Sequence, residues 1–150
     1  MISQTVEYAL RAIVCLAATP DQPQTAKQMA AATRVPLPYL SKVLQGLARE
    51  GLVDSQRGLH GGFTLARSPE TLTVLDVVNA VDPLPRLRDC PLGIRSHGAN
   101  LCPLHRRLDD AVAMVERSFA ATTVAELLRT PTTSHPLCED AETAREPAVR

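Results

Sequence analysis

Pro38 to Ala66 reads PYLSKVLQGLAREGLVDSQRGLHGGFTLA, and this stretch decides the fold. Leu40, Val43, Leu44 and Leu47 recur at spacings of three and four, which makes one apolar stripe on a helix. Pro38 suits the first turn of that helix, where a missing N–H costs nothing. Gly51 suits the position just past its end. Leu52 to Gln56 then reads as a strand, Arg57 to Gly62 as a glycine-rich turn, and Phe63 to Ala66 as a returning strand. With the stripe turned inward, Tyr39, Ser41, Lys42 and Gln45 are left to face outward near the helix start.

Working toward the N-terminus, Ile2, Val6, Leu10, Ile13 and Ala17 mark a helix over residues 2–18. Pro20 and Pro23 break it. Thr25, with Gln28 three residues on, opens a second helix over Ala26 to Thr33 by a capping box. Helix, turn, helix and hairpin in this order predict a mainly α winged helix-turn-helix with a β-hairpin wing. In that arrangement the third helix presents its leading end to the major groove, where base edges differ. A glycine-rich tip lets backbone approach DNA closely, and Arg57 suits the narrower minor groove. His60 shares the tip and counts with Arg57 among the candidate DNA contacts.

Toward the C-terminus, Thr73 and Asp76 set a cap for a helix ending near Val81. Asp82 to Leu101 carries three prolines and two glycines, and a loop this long inside a small domain is usually functional. Pro103 starts the longest helix. Leu101, Leu104, Leu108, Ala111, Val115 and Ser118 form its stripe, with Val112 and Phe119 alongside. The stripe can pack on its own domain, but such a helix outside the winged unit more readily pairs with a second copy, so a long C-terminal dimerisation helix is expected. The expected division is 1–82 for the DNA-binding unit, 83–102 for a cysteine-containing loop, 103–130 for dimerisation, and 131–150 for a polar, disordered tail.

The chain has 150 residues, about one domain's worth, and is 45% hydrophobic with only 3% aromatic residues, so Ala, Leu and Val must build the core. Net charge is zero, yet Arg34 to Arg67 holds five cations (Arg34, Lys42, Arg49, Arg57, Arg67) against two anions (Glu50, Asp54), a local +3 suited to nucleic acid. The apolar N-terminal run lacks a basic leader and is interrupted by Glu7 and Arg11, so it reads as an amphipathic helix rather than a signal peptide. No run approaches the ~20 apolar residues that span a bilayer. The expectation is a cytoplasmic protein without membrane partners, whose four cysteines are core, metal-binding or redox-active rather than disulfide staples.

The Tyr39-Leu40-Ser41-Lys42-Val43-Leu44 helix, Gly51-Leu52-Val53, and the wing Arg57-Gly58-Leu59-His60-Gly61-Gly62-Phe63-Thr64-Leu65-Ala66 resemble the Rrf-type bacterial transcription regulators, the family of IscR and NsrR. The likeness starts at Glu7-Tyr8-Ala9-Leu10-Arg11-Ala12 and runs to about Arg129. It implies a homodimer on double-stranded DNA with a palindromic operator, and repression more often than activation. It also places base reading on Ser41 and Lys42, and the wing arginine on Arg57.

The loop adds Cys90 and Cys102, with His105 three residues beyond. Cys102 precedes Pro103 at a helix start, where the positive helix end suits a metal-bound thiolate. His105 lies one turn on, near the same face. Cluster-binding members of the family carry three cysteines here, and Ser96 stands where the middle one would be. They also use a first-helix carboxylate supplied across the dimer, and Glu7 matches it. Glu7, Cys90, Cys102 and His105 would make a mixed-ligand set suited to a [2Fe–2S] iron–sulfur cluster and to redox sensing. Other readings stay open. Glu7 can pair with Arg11. The two thiols can form a regulatory disulfide, the loop can hold zinc, and His97 or His60 can replace a ligand. Cys15 reads as core, and Cys138 has no assigned role. A winged-helix protein-interaction module and a small metalloenzyme using Cys102, His105 and Glu7 are the readings from other classes. The sequence offers no nucleophile–base set for the latter, so the expectation is not an enzyme.

Overall fold

The computed structural model describes residues 2–97 and 100–131. The elements are α1 (Gln4–Ala18), α2 (Ala26–Thr33), α3 (Leu37–Arg49), β1 (Val53–Gln56), β2 (Gly62–Leu65), α4 (Val74–Val81), a 3-10 turn (Arg95–His97), α5 (Pro103–Ala121) and α6 (Val124–Arg129). The expected winged helix-turn-helix is therefore present, and the outlying cysteine Cys138 falls outside the described residues with most of the expected disordered tail.

Helix α1 is the centre of the fold. Val6, Ala9 and the whole run from Ala12 to Ala17 are buried. A helix covered all round must be packed on several sides, and α2, α3, α4 and α6 all lie against it. Its alanines let those neighbours come close. From α3 the inward stripe is Leu40, Val43, Leu44 and Leu47, each at most 5% exposed, as its spacing predicts. Val35 fills the corner between α2 and α3.

Local signals fix most helix ends. Thr25 with Gln28, and Thr73 with Asp76, both form the reciprocal capping box. The first helix starts two residues later than its apolar spacing suggests. Ser3 accepts a hydrogen bond from the Val6 amide at 3.3 Å and so caps it, leaving Ile2 outside.

Two features depart from the sequence expectation. The wing hairpin gains a third partner, because Gln24 and Phe63 exchange backbone hydrogen bonds of 3.0 and 2.7 Å. The 103–130 region is two helices rather than one. Thr123 caps α6 through the Glu126 amide at 3.2 Å. The connection also bonds back to the winged unit, Val74 amide to Thr122 carbonyl at 3.0 Å and Val124 amide to Leu72 carbonyl at 2.8 Å. Val124 is fully buried, so α6 belongs to the main core. Among the described residues no helix is long and apolar enough to cross a membrane.

Candidate nucleic-acid interface and cysteine loop

The turn before α3 is three residues long. Arg34 ends α2 in the left-handed region, with φ of 55°. The conformation costs a non-glycine residue strain, and the corner is braced by α1. Arg11 donates to the Thr33 carbonyl at 3.1 Å and to Glu7 at 2.7 Å. Glu7 is thus engaged with Arg11, the alternative its spacing allowed.

On the outward side of α3, Tyr39 is 62% exposed, Lys42 and Gln45 are exposed, and Ser41 is half-buried. The Tyr39 ring leans on Tyr8, with centroids 6.4 Å apart, and Arg11 lies over the Tyr8 ring at 5.8 Å. Among the described residues, nothing covers the leading edge of α3.

The wing projects beside it. Val53 pairs with Leu65, Asp54 with Thr64, Ser55 with Phe63 and Gln56 with Gly62. Arg57, Gly58, Leu59 and His60 form an exposed tip. Two glycines at its base are required by space. A Cβ on Gly61 would lie 2.4 Å from the Gln56 carbonyl oxygen, and one on Gly62 would lie 2.7 Å from the Gln24 backbone. Gln24 also anchors inward, donating to the Cys15 carbonyl at 3.4 Å and to the Thr19 hydroxyl. Cys15 is buried in α1, as expected of a core thiol. Lys42 and Arg57 form no ion pair among the described residues, so both charges are available to a phosphate.

The cysteine loop is held by charge. Arg86 grips Asp109 with two hydrogen bonds of 2.7 Å and reaches Glu116 at 2.7 Å. The Leu87 amide also donates to Asp109 at 2.9 Å. These bonds, from Arg86 above all, hold the Asp109 carboxyl down to about 2. Leu84 is buried beside α4 and pins the loop start. Further on, Cys90 is buried. Cys102 caps α5 without a side-chain cap bond, and its Sγ lies 3.2 Å from His105 Nδ1. An imidazole and a thiol in contact can share a proton or a metal ion. His97 Nδ1 is enclosed without a hydrogen-bond partner among the described residues.

The structure therefore brings Cys102 and His105 together. It does not bring Cys90 or Glu7 to them within one chain: no group of three or more metal-ligating side chains forms among the described residues. A single protomer does not supply the site that the four residues suggest. Sequence spacing missed the Arg86 clamp and the Gln24 tether, because each joins residues far apart in the chain.

Residues 2–130 match the Rrf2 family, described as an iron-dependent transcriptional regulator. The chain belongs to the Rrf2 family. It is thus a DNA-binding winged-helix transcription regulator and not an enzyme, as its residues suggested. The regulator NsrR of Geobacillus kaustophilus is 30% identical over 133 residues, 85% of this chain and 88% of that protein. The structure of CymR, the global cysteine regulator of B. subtilis, superposes with a TM-score of 0.68 at 26% identity, over 85% of this chain and 95% of that one. T. potens IscR shares the fold, with a TM-score of 0.71 at 23% identity over 85% of each chain.

Proposed function

We propose that this Rrf2-family chain acts as a homodimeric repressor on a palindromic operator. Tyr39, Ser41, Lys42 and Gln45 enter the major groove. Arg57 and His60 of the wing reach the adjacent minor groove. The observation that carries this reading is the pairing of two uncovered surfaces, the leading edge of α3 and the wing tip. Each holds a cation with no acidic partner among the described residues. The partner surface for a second copy is α5, where Leu104 and Met114 are 64% and 63% exposed and Leu108 is 50% exposed. Val112, Val115 and Phe119 of this helix pack on the protomer's own core, so the surface left for a partner is the exposed apolar row of Leu104, Leu108 and Met114, which fits a helix pair. A cytoplasmic location follows from this role.

The signal reaches the dimer through the cysteine loop. We infer an iron–sulfur cluster, of the [2Fe–2S] type, held by Cys90, Cys102 and His105, with Glu7 from a second protomer. The Cys102–His105 contact supports this reading, and the enclosed, unpartnered His97 nitrogen offers a substitute ligand. Such a cluster would supply redox or nitrosative reactivity. Cys90 stands apart from Cys102 and His105 among the described residues, so the proposal requires the loop to close around them as well as a second protomer to supply Glu7.

A second reading rests on the same contact. Cys90 and Cys102 alone could carry the signal as reversible thiol chemistry. Anaerobic purification, visible spectroscopy and iron analysis separate the two. A coloured protein with about two irons per site supports the cluster. A colourless, iron-free protein after reconstitution rejects it, and signal-dependent DNA release lost in Cys90→Ala and Cys102→Ala then supports the thiols. For the DNA surface, Arg57→Ala and Lys42→Ala should each weaken binding to fragments of the chain's own promoter. Tight binding that ignores salt and both substitutions would reject the assignment.

A further inference from the structure

Helix α3 carries a glycine in its interior, where alanine would be the better helix former. A Cβ on Gly46 would come no closer than 4.0 Å to a neighbour, the Cγ1 of Val81. Close packing therefore does not demand glycine there. The missing side chain instead opens the floor of a groove between the first turns of α1, the outer face of α3 and the end of α4. Its volume is about 470 Å³, within the range of roughly 300–1,000 Å³ typical of small-molecule sites.

The lining has a definite chemistry. Tyr8 and Tyr39 contribute aromatic rings, Ala80 and Val81 an apolar floor, and Lys42 and Arg49 two cations. Lys42 and Arg49 are seven residues apart on one helix, so they lie on the same face, about 10 Å apart along the axis. Among the described residues, no acidic side chain lines the groove. Neither cation forms an ion pair among the described residues. Aromatic rings beside unpaired cations suit a flat ring that carries a negative group. The ring can stack on tyrosine, and the anion can take charge-assisted hydrogen bonds.

We propose that this groove binds a small planar anion, an aromatic ring bearing a carboxylate or a phosphate, and that the bound anion competes with DNA. The competition rests on the operator reading above, because Tyr39, Lys42 and Gln45 line the groove and are also offered to DNA. Binding of the anion does not rest on it. By mass action, a competitor at ten times its own Kd should weaken apparent operator affinity about tenfold. The regulator would then have an input that does not pass through its cysteines.

The test uses the full chain in two arms. Calorimetry without DNA measures the four nucleoside 5′-monophosphates, benzoate and indole-3-carboxylate separately, with inorganic phosphate as the ring-free control. At least one planar anion should bind once per protomer, and at least tenfold more tightly than phosphate. Comparison of the nucleotides with the carboxylates assigns the anionic group. Gly46→Leu, which fills the floor, and Arg49→Ala, which removes a cation, should each cost that binding tenfold or more. Both should keep the ligand-free operator affinity within about threefold. If Gly46→Leu fails to fold, Arg49→Ala decides alone. No binding of any probe at millimolar concentration, or binding that both variants leave unchanged, overturns the site. The site is equally overturned if the variants weaken DNA binding and leave the probes unaffected, since the groove is then part of the DNA surface. In the second arm, a probe that binds but leaves operator affinity unchanged overturns the competition alone.

Discussion

The winged unit and the α5 region are packed to different depths, since α5 adds only the half-buried Val112, Val115 and Phe119 to a small apolar cluster with Val6, Val74, Val78 and Leu84. In the winged unit, α1 is wrapped by four helices, and Ile13, Leu16, Leu40, Leu44 and Leu47 are at most 1% exposed. In α5, over nineteen residues, nothing is fully buried. Its hold on the cysteine loop is a surface cluster of Arg86, Asp109 and Glu116. Full burial of a large aliphatic side chain stabilises by about 1.5–3 kcal/mol, whereas an exposed ion pair contributes about 0–1 kcal/mol. On the proposed reading, a signal at the loop would rearrange it without loosening the winged unit. The structure thus sets a deeply packed winged unit beside a helix that stays largely exposed.

Four substitutions can break or sharpen this contrast, and they fall in order of size. Leu44→Ala should destabilise the chain by about 2–5 kcal/mol, read as a lowered denaturant midpoint. A loss below about 1 kcal/mol would contradict the packed reader. Next, Arg57→Ala should cost operator binding roughly 1–3 kcal/mol, about 5- to 150-fold, while the unfolding midpoint stays put. Leu108→Asp should shift the oligomer toward monomer in analytical ultracentrifugation and leave the circular dichroism of the winged unit intact. An unchanged dimer would remove α5 as the partner surface.

The smallest effect belongs to the clamp. Asp109→Asn should leave the unfolding midpoint nearly unchanged, yet speed hydrogen exchange at the Leu87 amide and the neighbouring loop. The pH dependence has a fixed sign. Because Asp109 is depressed in the folded chain, its contribution is complete above the ordinary carboxylate value near 4 and fades as pH falls toward 2. Leu87 protection should therefore persist at pH 4 and decline below it in the wild type. Protection already lost at pH 5 would show that the clamp does not hold the loop.

Much of the reader was legible in the sequence, because its signals are local. The Leu40–Leu47 stripe, the Thr25–Gln28 and Thr73–Asp76 boxes and the glycine-rich tip each lie within a few residues. What escaped is non-local or short. The Gln24–Phe63 bridge joins segments about forty positions apart, and Arg86 meets acids 23 and 30 positions downstream. Helix α6 has only six residues, too few for a periodic stripe. The candidate sites divide the same way. Cys102 and His105, one helical turn apart, meet as their spacing predicts, whereas Cys90 lies across the loop and does not join them in one chain. Glu7 was legible as a helix partner of Arg11. What a second protomer would offer it cannot be read from spacing within one chain.

The most direct test of the central claim is an anisotropy titration of the chain on its own promoter duplex across a salt series, comparing wild type with the Lys42→Ala, Arg57→Ala double variant. The account predicts salt-sensitive binding by the wild type. It also predicts a loss of tenfold or more in the double variant, with a slope against log salt shallower by about one for each phosphate contact removed. Equal affinities and equal slopes for the two proteins would show that the outer edge of α3 and the wing tip are not what holds the DNA.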